Sequence, residues 1–236
     1  MLLKAENLYK DYSLSPEHVV TAVDNVSFSL DKGKFVSIIG RSGSGKSTLI
    51  SILAGLLRPV RGAVYLQGTD YSSLSDDALC YMRNKLIGYI PQGMCLLSNL
   101  NILDNIRLPW FLGGRLLPCV SKAEELLEQV GLAEYSRRYP YQISGGQMRR
   151  VAIARALMNS PALVIADEPT SNLDEETASD INRLLKSLCG NGTAVLIVSH
   201  EKDALKLSDE AYKMEQGKLE PFFENYETVS DNAANQ

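Results

Sequence analysis

Two short stretches of this 236-residue chain hold the residue types that phosphate chemistry uses. The first, Gly40-Arg41-Ser42-Gly43-Ser44-Gly45-Lys46-Ser47-Thr48, fills every fixed position of the pattern G-x-x-x-x-G-K-[ST]. Glycines at 43 and 45 let the backbone curl until successive N–H groups point inward at phosphate oxygens. The Lys46 ammonium can reach β- and γ-phosphates, and the Ser47 hydroxyl is placed to hold Mg²⁺. The second stretch, Asp167-Glu168, supplies two carboxylates of different use. One can hold Mg²⁺ through water, and the other can orient or deprotonate an attacking water. Each stretch alone has a plainer reading, as a glycine-rich turn or a solvated acidic pair. Together they point to a bound nucleoside triphosphate.

Such residues need elements that position them. Phe35-Val36-Ser37-Ile38-Ile39 is a short apolar run that reads as a buried strand feeding the glycine loop. Beyond the loop, Leu49, Ile52, Leu53, Leu56 and Leu57 recur at helical spacing, which predicts a helix starting near Lys46. A strand, a tight turn and a helix N-terminus together make an anion site. Ala162-Leu163-Val164-Ile165-Ala166 is an unbroken apolar run of the kind central parallel strands show, and it delivers Asp167 and Glu168 at its carboxyl end. Ligands of open parallel sheets bind at that edge.

The remaining chain reads as further pieces of one α/β unit. Strands are predicted at 2–6, 20–23 and 26–30, with Tyr12 in a polar connection between them. Ala63–Leu66 and Ile87–Ile90 are further strands, with a helix from about Asp76 to Arg83 between them, and Thr193–Val198 is the last buried one. Residues 93 to about 158 differ in being helical. Ser121 and Glu124 have the spacing of a capping box opening a helix that Gly131 would end. Another helix is expected from Ser144 through Leu157, and a third from about Glu176 to Cys189.

Composition narrows the class. With hydrophobic residues at 45% the chain can bury a sizeable core, and a net charge of −4 argues against a general affinity for nucleic acid. No basic leader is visible, and no apolar run approaches the roughly 18–20 residues of a bilayer span, so a soluble cytoplasmic chain is expected. Cys80, Cys95, Cys119 and Cys189 are scattered, which indicates neither a disulfide framework nor a zinc site.

Ile143-Ser144-Gly145-Gly146-Gln147 adds a more specific signal. Ser144 and Gln147 could form a simple capping box, but that leaves unexplained why two poor helix formers open the helix. Exposed N–H groups meeting an anion would explain them. At this point nearly all of residues 1–220 resembles the nucleotide-binding subunits of ATP-binding cassette transporters, with the family's motifs in order. Residues 40–48 resemble its Walker A loop, Gln92 its Q-loop, Ser144 to Gln147 its signature, and Val164 to Glu168 its Walker B strand. Ser171-Asn172-Leu173-Asp174 resembles the D-loop, His200 the switch histidine, and Tyr12 the aromatic residue stacked on adenine. Residues 43–49, 149–157 and 166–174 resemble a subgroup of lipoprotein-releasing, macrolide-export and cell-division ATPases, together with peptide-resistance pumps.

The resemblance implies a RecA-like P-loop NTPase fold with an antiparallel N-terminal β subdomain. β subdomain and core would span about 1–92 and 159–225, a helical subdomain about 93–158, and a disordered tail about 226–236. It implies an ATPase using ATP and Mg²⁺, with Glu168, His200 and Gln92 catalytic and Ser47, Gln92 and Asp167 around the metal. The nucleotide would contact Tyr12, residues 40–48, Ser144, Gly145, Gly146, Gln147 and Asp174. It further implies a head-to-tail pair of copies with ATP between them, seated on an integral membrane permease at the inner face of the membrane. An ATPase that regulates a membrane cell-wall complex without transport stays open at this point. ATPases acting on DNA or ribosomes fit less well, since there is neither a long coiled-coil insertion nor a second cassette.

Overall fold

A computed structural model describes residues 1–15, 18–93, 95–115, 119–199 and 202–222. The chain opens with a hairpin of β1 (Leu3–Ser15) and β2 (His18–Leu30), then β3 (Phe35–Ile39) and α1 (Lys46–Leu53). β4 (Arg61–Leu66), β5 (Thr69–Asp70), α2 (Asp76–Leu86) and β6 (Ile87–Ile90) follow. Three helices come next, α3 (Ile102–Leu112), α4 (Val120–Gln129) and α5 (Gly145–Leu157). The chain then alternates through β7 (Leu163–Asp167), α6 (Glu175–Cys189), β8 (Ala194–Val198) and α7 (Lys202–Leu207), ending in β9 (Glu210–Glu215) and β10 (Lys218–Pro221).

These strands form two sheets. One is four-stranded and antiparallel, in the order β2-β1-β4-β5. The other runs β10-β9-β3-β8-β7-β6, and all of it is parallel except the edge strand β10. β7 and β8 are buried along their whole length, which is why they read as continuous apolar runs. Their alternation divides the interior in two. Val36, Ile38, Leu163, Ile165, Leu196 and Val198 face α1 and the antiparallel sheet. Phe35, Val164, Ala166, Val195 and Ile197 face a second core with α3, α4, α5 and α6.

Three local expectations change. β1 and β2 are each 13 residues long, so Tyr12 lies inside β1 opposite Val20 and not in a connection. Register shifts, one of them beside the left-handed Asn7 (φ 47°), absorb the polar residues that masked the alternation. α1 stops at Leu53. Gly55 (φ 67°) turns the chain, its N–H reaching Ile52 O while that of Leu56 reaches Ser51 O, a Schellman ending that leaves Leu56 exposed. Ser121 caps nothing, because α4 has already begun at Val120 with Cys119 before it, buried in the second core. Gly131 (φ 71°) does follow the end of α4, its N–H bonding to Glu128 O. The expected tail 226–236 lies outside the described residues.

Candidate active site

Parallel strands share one carboxyl edge, so β3, β6 and β7 deliver their following residues to the same place. After β3 the chain makes its loop and enters α1, whose N-terminus carries no side-chain cap. Its first N–H groups are thus left for another acceptor. Gly43 (φ 77°) and Gly45 (φ 104°) hold backbone that L residues rarely adopt. A Cβ on Gly45 would collide with the Ala22 carbonyl oxygen of β2, and one on Gly40 with the Met214 carbonyl oxygen of β9. The loop is therefore wedged between two strands. Arg41 and Ser42 form its exposed tip, Ser44 is buried within it, and Thr48 lies half-buried one residue past Ser47 in α1.

Lys46 is 5% exposed, and its ammonium donates to Gly40 O (2.7 Å) and Arg41 O (2.8 Å). Burial lowers its pKa, while the carboxylates of Glu168 and Asp167 act to raise it. Asp167, also 5% exposed, has a raised pKa for the same first reason. A hydrogen bond from Ser47 opposes that rise, Glu168 adds to it, and Lys46 opposes it. Its Oδ1 is buried and has no hydrogen-bond partner among the described residues. A buried carboxylate oxygen beside a serine hydroxyl is a pair of hard oxygen donors suited to a divalent cation, and Mg²⁺ fits it. Such an ion would neutralise phosphate charge as it develops.

Glu168 sits just past the strand in left-handed backbone (φ 47°) and is pinned there, its N–H bonding to Val198 O at 2.9 Å. The Ser171 hydroxyl donates to Glu168 O at 3.0 Å. Gln92, brought in by β6, donates from Nε2 to Glu168 Oε2 at 2.8 Å. Lys46, Ser47, Gln92, Asp167 and Glu168 thus form one constellation: an anion cradle, a cation donor pair and a carboxylate that can work on water. Tyr12 is 40% exposed on the hairpin, with the Lys10 ammonium 5.8 Å from its ring centre. Its partner Val20 lies two residues from Ala22, which backs the loop, so the ring stands about 7 Å up the ladder.

The other expected residues stand apart. Ser144 caps α5, and the capping box is complete: Gln147 N–H reaches Ser144 Oγ (3.2 Å) and Ser144 N–H reaches Gln147 Oε1 (2.9 Å). No hydrogen bond among the described residues joins Ser144, Gly145, Gly146 or Gln147 to the phosphate loop. Gly146 has a packing reason to be glycine, since a Cβ there would meet the Thr177 methyl at 2.8 Å. Asp174 caps α6, both oxygens engaged by Thr177, whose N–H and hydroxyl hold the carboxyl below the usual range. His200 lies outside the described residues. Sequence reasoning passed over Arg149, which is 9% exposed and reaches the backbone on both sides of Gln92. Its signal was legible: Arg149, Ala152, Ile153 and Ala156 share one helical face, so a cation sits in an apolar stripe.

Known proteins resemble this chain in sequence and fold. The family described as ABC transporter matches residues 23–171. An uncharacterized ABC transporter ATP-binding protein of Methanocaldococcus jannaschii is 39% identical over 219 residues, spanning 92% of this chain and 97% of that one. The lipoprotein-releasing system ATP-binding protein LolD of Pseudomonas syringae pv. tomato is 40% identical over 220 residues, or 92% and 96% of the two chains. Among solved structures, a dimeric post-hydrolysis state of an ATP-binding cassette bound to ADP and Pi superposes with a TM-score of 0.87. It is 34% identical and covers 94% of this chain and 100% of that one. A phosphate loop on a parallel sheet, a buried aspartate and its neighbouring glutamate, and matches that run almost end to end lead to one assignment: the chain belongs to the ABC transporter family, as one of its ATP-binding, ATP-hydrolysing cassettes.

Proposed function

We propose that two copies of this cassette close on ATP and drive a separate membrane permease that exports or mechanically moves a lipoprotein, peptide or drug. The observation that carries the reading is the convergence of Lys46, Ser47, Gln92, Asp167 and Glu168 at one sheet edge. Lys46 and the loop N–H groups hold the phosphates. Ser47, Asp167 and Gln92 would hold Mg²⁺, which would screen phosphate charge. Glu168 takes a proton from water as that water attacks the γ-phosphorus, and the bond to ADP breaks. His200 hydrogen-bonds the γ-phosphate.

Tyr12 stacks on the base, while Ser144, Gly145, Gly146, Gln147 and Asp174 face the nucleotide held by the other copy. The dimeric relative bound to ADP and Pi supports that pairing. Likeness to a lipoprotein-releasing system ATP-binding protein supports a partner of the lipoprotein-releasing kind. On this reading the cassette lies on the cytoplasmic face of the membrane, and 93–158 acts as a helical subdomain. Among the described residues no helix is long and apolar enough to cross a membrane.

In α3, Trp110 is half-buried under the Arg115 guanidinium (4.4 Å), while Phe111 and Leu112 are exposed. Phe111 and Leu112 therefore form the apolar patch that meets the permease. The test is tagged Glu168→Gln, purified with ATP from detergent-solubilised native membranes. We expect ATP binding without turnover, an ATP-dependent dimer, and co-purification of a membrane protein. Wild-type turnover by Glu168→Gln would remove the role given to that carboxylate. Recovery of ribosomes or DNA in place of a permease would end the transport reading.

A further inference from the structure

Arg149 is a buried cation whose hydrogen-bond partners among the described residues are all neutral oxygens. It lies in the second turn of α5, five residues beyond the Ser144 cap. Its Nη1 donates to Gly93 O at 2.8 Å and Pro91 O at 3.3 Å, the carbonyls on either side of Gln92. Its Nη2 makes a long contact of 3.5 Å with Ser171 Oγ. Burying a guanidinium against carbonyls, with no carboxylate among its hydrogen-bond partners, is costly. A five-donor planar fork, however, can hold several separate backbone oxygens at once, as an ammonium cannot.

These contacts close a ring. From Arg149 one path runs through the Pro91 and Gly93 carbonyls to Gln92, and from Gln92 Nε2 to Glu168 Oε2 at 2.8 Å. The other runs through Ser171, whose hydroxyl reaches Glu168 O at 3.0 Å. Arg149 thus grips the backbone carrying Gln92 and approaches the Glu168 main chain from the opposite side. A second arginine of α5, Arg155, extends the grip by donating to Cys95 O at 2.8 Å. Pro91, Gly93 and Cys95 are therefore held by α5, the helix capped by Ser144.

We propose that Arg149 is a positioning residue for hydrolysis, fixing Gln92 against Glu168 so that the carboxylate is set for water only when α5 is seated. The inference rests on the ATPase reading and adds to it a physical link from α5 to the reacting end of the site. Arg149 touches neither nucleotide nor water. Its effect falls on turnover and not on ATP affinity, which the loop around Lys46 supplies.

The test is steady-state ATP hydrolysis by the full chain, with thermal melting of each variant. Arg149→Gln should lower kcat roughly ten- to a hundredfold with KM for ATP within about threefold of wild type, as expected when a catalytic group is misplaced by a fraction of an ångström. Arg149→Lys, which keeps the charge but not the fork, should fall between the two, and it carries the test if Arg149→Gln does not fold. The discriminating measurement is a double-mutant cycle. In a Gln92→Ala background, Arg149→Gln should cost less than about twofold further, because its route to Glu168 is already broken. Unchanged kcat, or a full multiplicative loss on top of Gln92→Ala, overturns the inference. Glu168→Gln in the same assay separates the two ideas. If it is dead while Arg149→Gln is normal, only the role of Arg149 falls; if it turns over like wild type, the role of Glu168 falls and that of Arg149 with it.

Discussion

Lys46 and Asp167 are each placed at a cost to their own charge. Burial disfavours the ammonium and the carboxylate alike, and only their neighbours at the sheet edge offset it. A folded chain tolerates that arrangement when the charged forms have work to do, which on the proposed reading is gripping phosphate and a divalent cation. Lys46→Ala should remove most ATP affinity. We expect loss of roughly tenfold or more in equilibrium binding of a fluorescent ATP analogue, since a charge-assisted contact to phosphate is worth about 1.5–3 kcal/mol. Binding at wild-type strength would deny Lys46 that role. Glu168 shows the same economy in its backbone, where a left-handed conformation is held by Val198 and Ser171.

At the level of elements, two close fits keep the helices registered on the sheet. Gly88 of β6 lies so near α5 that an added Cβ would stand 2.6 Å from the Ala156 carbonyl oxygen. Gly88→Ala should therefore destabilise the fold by about 1–3 kcal/mol in equilibrium urea unfolding, as overpacking does. No change in the midpoint would mean that α5 can shift freely. Toward the other edge of the sheet, Asp209 accepts from Phe35 N–H (2.7 Å) and Lys186 (2.9 Å), tying the entry of β9 to β3 and α6. Burial raises its pKa, but Lys186 and the Phe35 N–H outweigh burial and hold the carboxyl below 3.8. Because the folded pKa is the lower one, its stabilisation is present above pH 3.8 and is lost as pH falls through the folded value. Asp209→Asn should thus be less stable at pH 7, by about 1 kcal/mol in equilibrium unfolding. The gap should close as the solution is acidified, and a gap that widened would reverse the sign assigned to this group.

Across the whole molecule, the phosphate loop and the Ser144 cap are carried by different layers. One belongs to the parallel sheet, and the other to α5, which packs on α3, α4 and β6. A single chain that keeps these apart is suited to meeting a second copy. The exposed end of α3 is a separate surface, and Leu112, at 71% exposure, is its most open apolar side chain. Leu112→Asp should weaken capture of the membrane partner while the purified cassette keeps its ATPase rate. Normal capture would place the docking surface elsewhere.

The chemistry was legible because it depends on residues adjacent in sequence. The nine residues from Gly40 to Thr48 carry their own turn, donors and helix start, and a five-residue apolar strand carries Asp167 and Glu168 to its end. Local patterns of this kind need no partner from afar to be recognised. The long hairpin was obscured because register shifts in β1 break the alternation that marks a strand, so Tyr12 looked like a loop residue. α1 looked a turn too long because Leu56 and Leu57 keep helical spacing after Gly55 has ended the helix. What only the tertiary structure decided is which distant residues meet: Gln92 with Glu168, Arg149 with Pro91 and Gly93, and Gly146 with Thr177. The physical reason is that hydrogen bonds and close packing across 30 to 80 positions leave no periodic trace in the chain. They are fixed by how the parallel sheet and α5 stack, and the sequence dictates that stacking only through the sum of all its contacts.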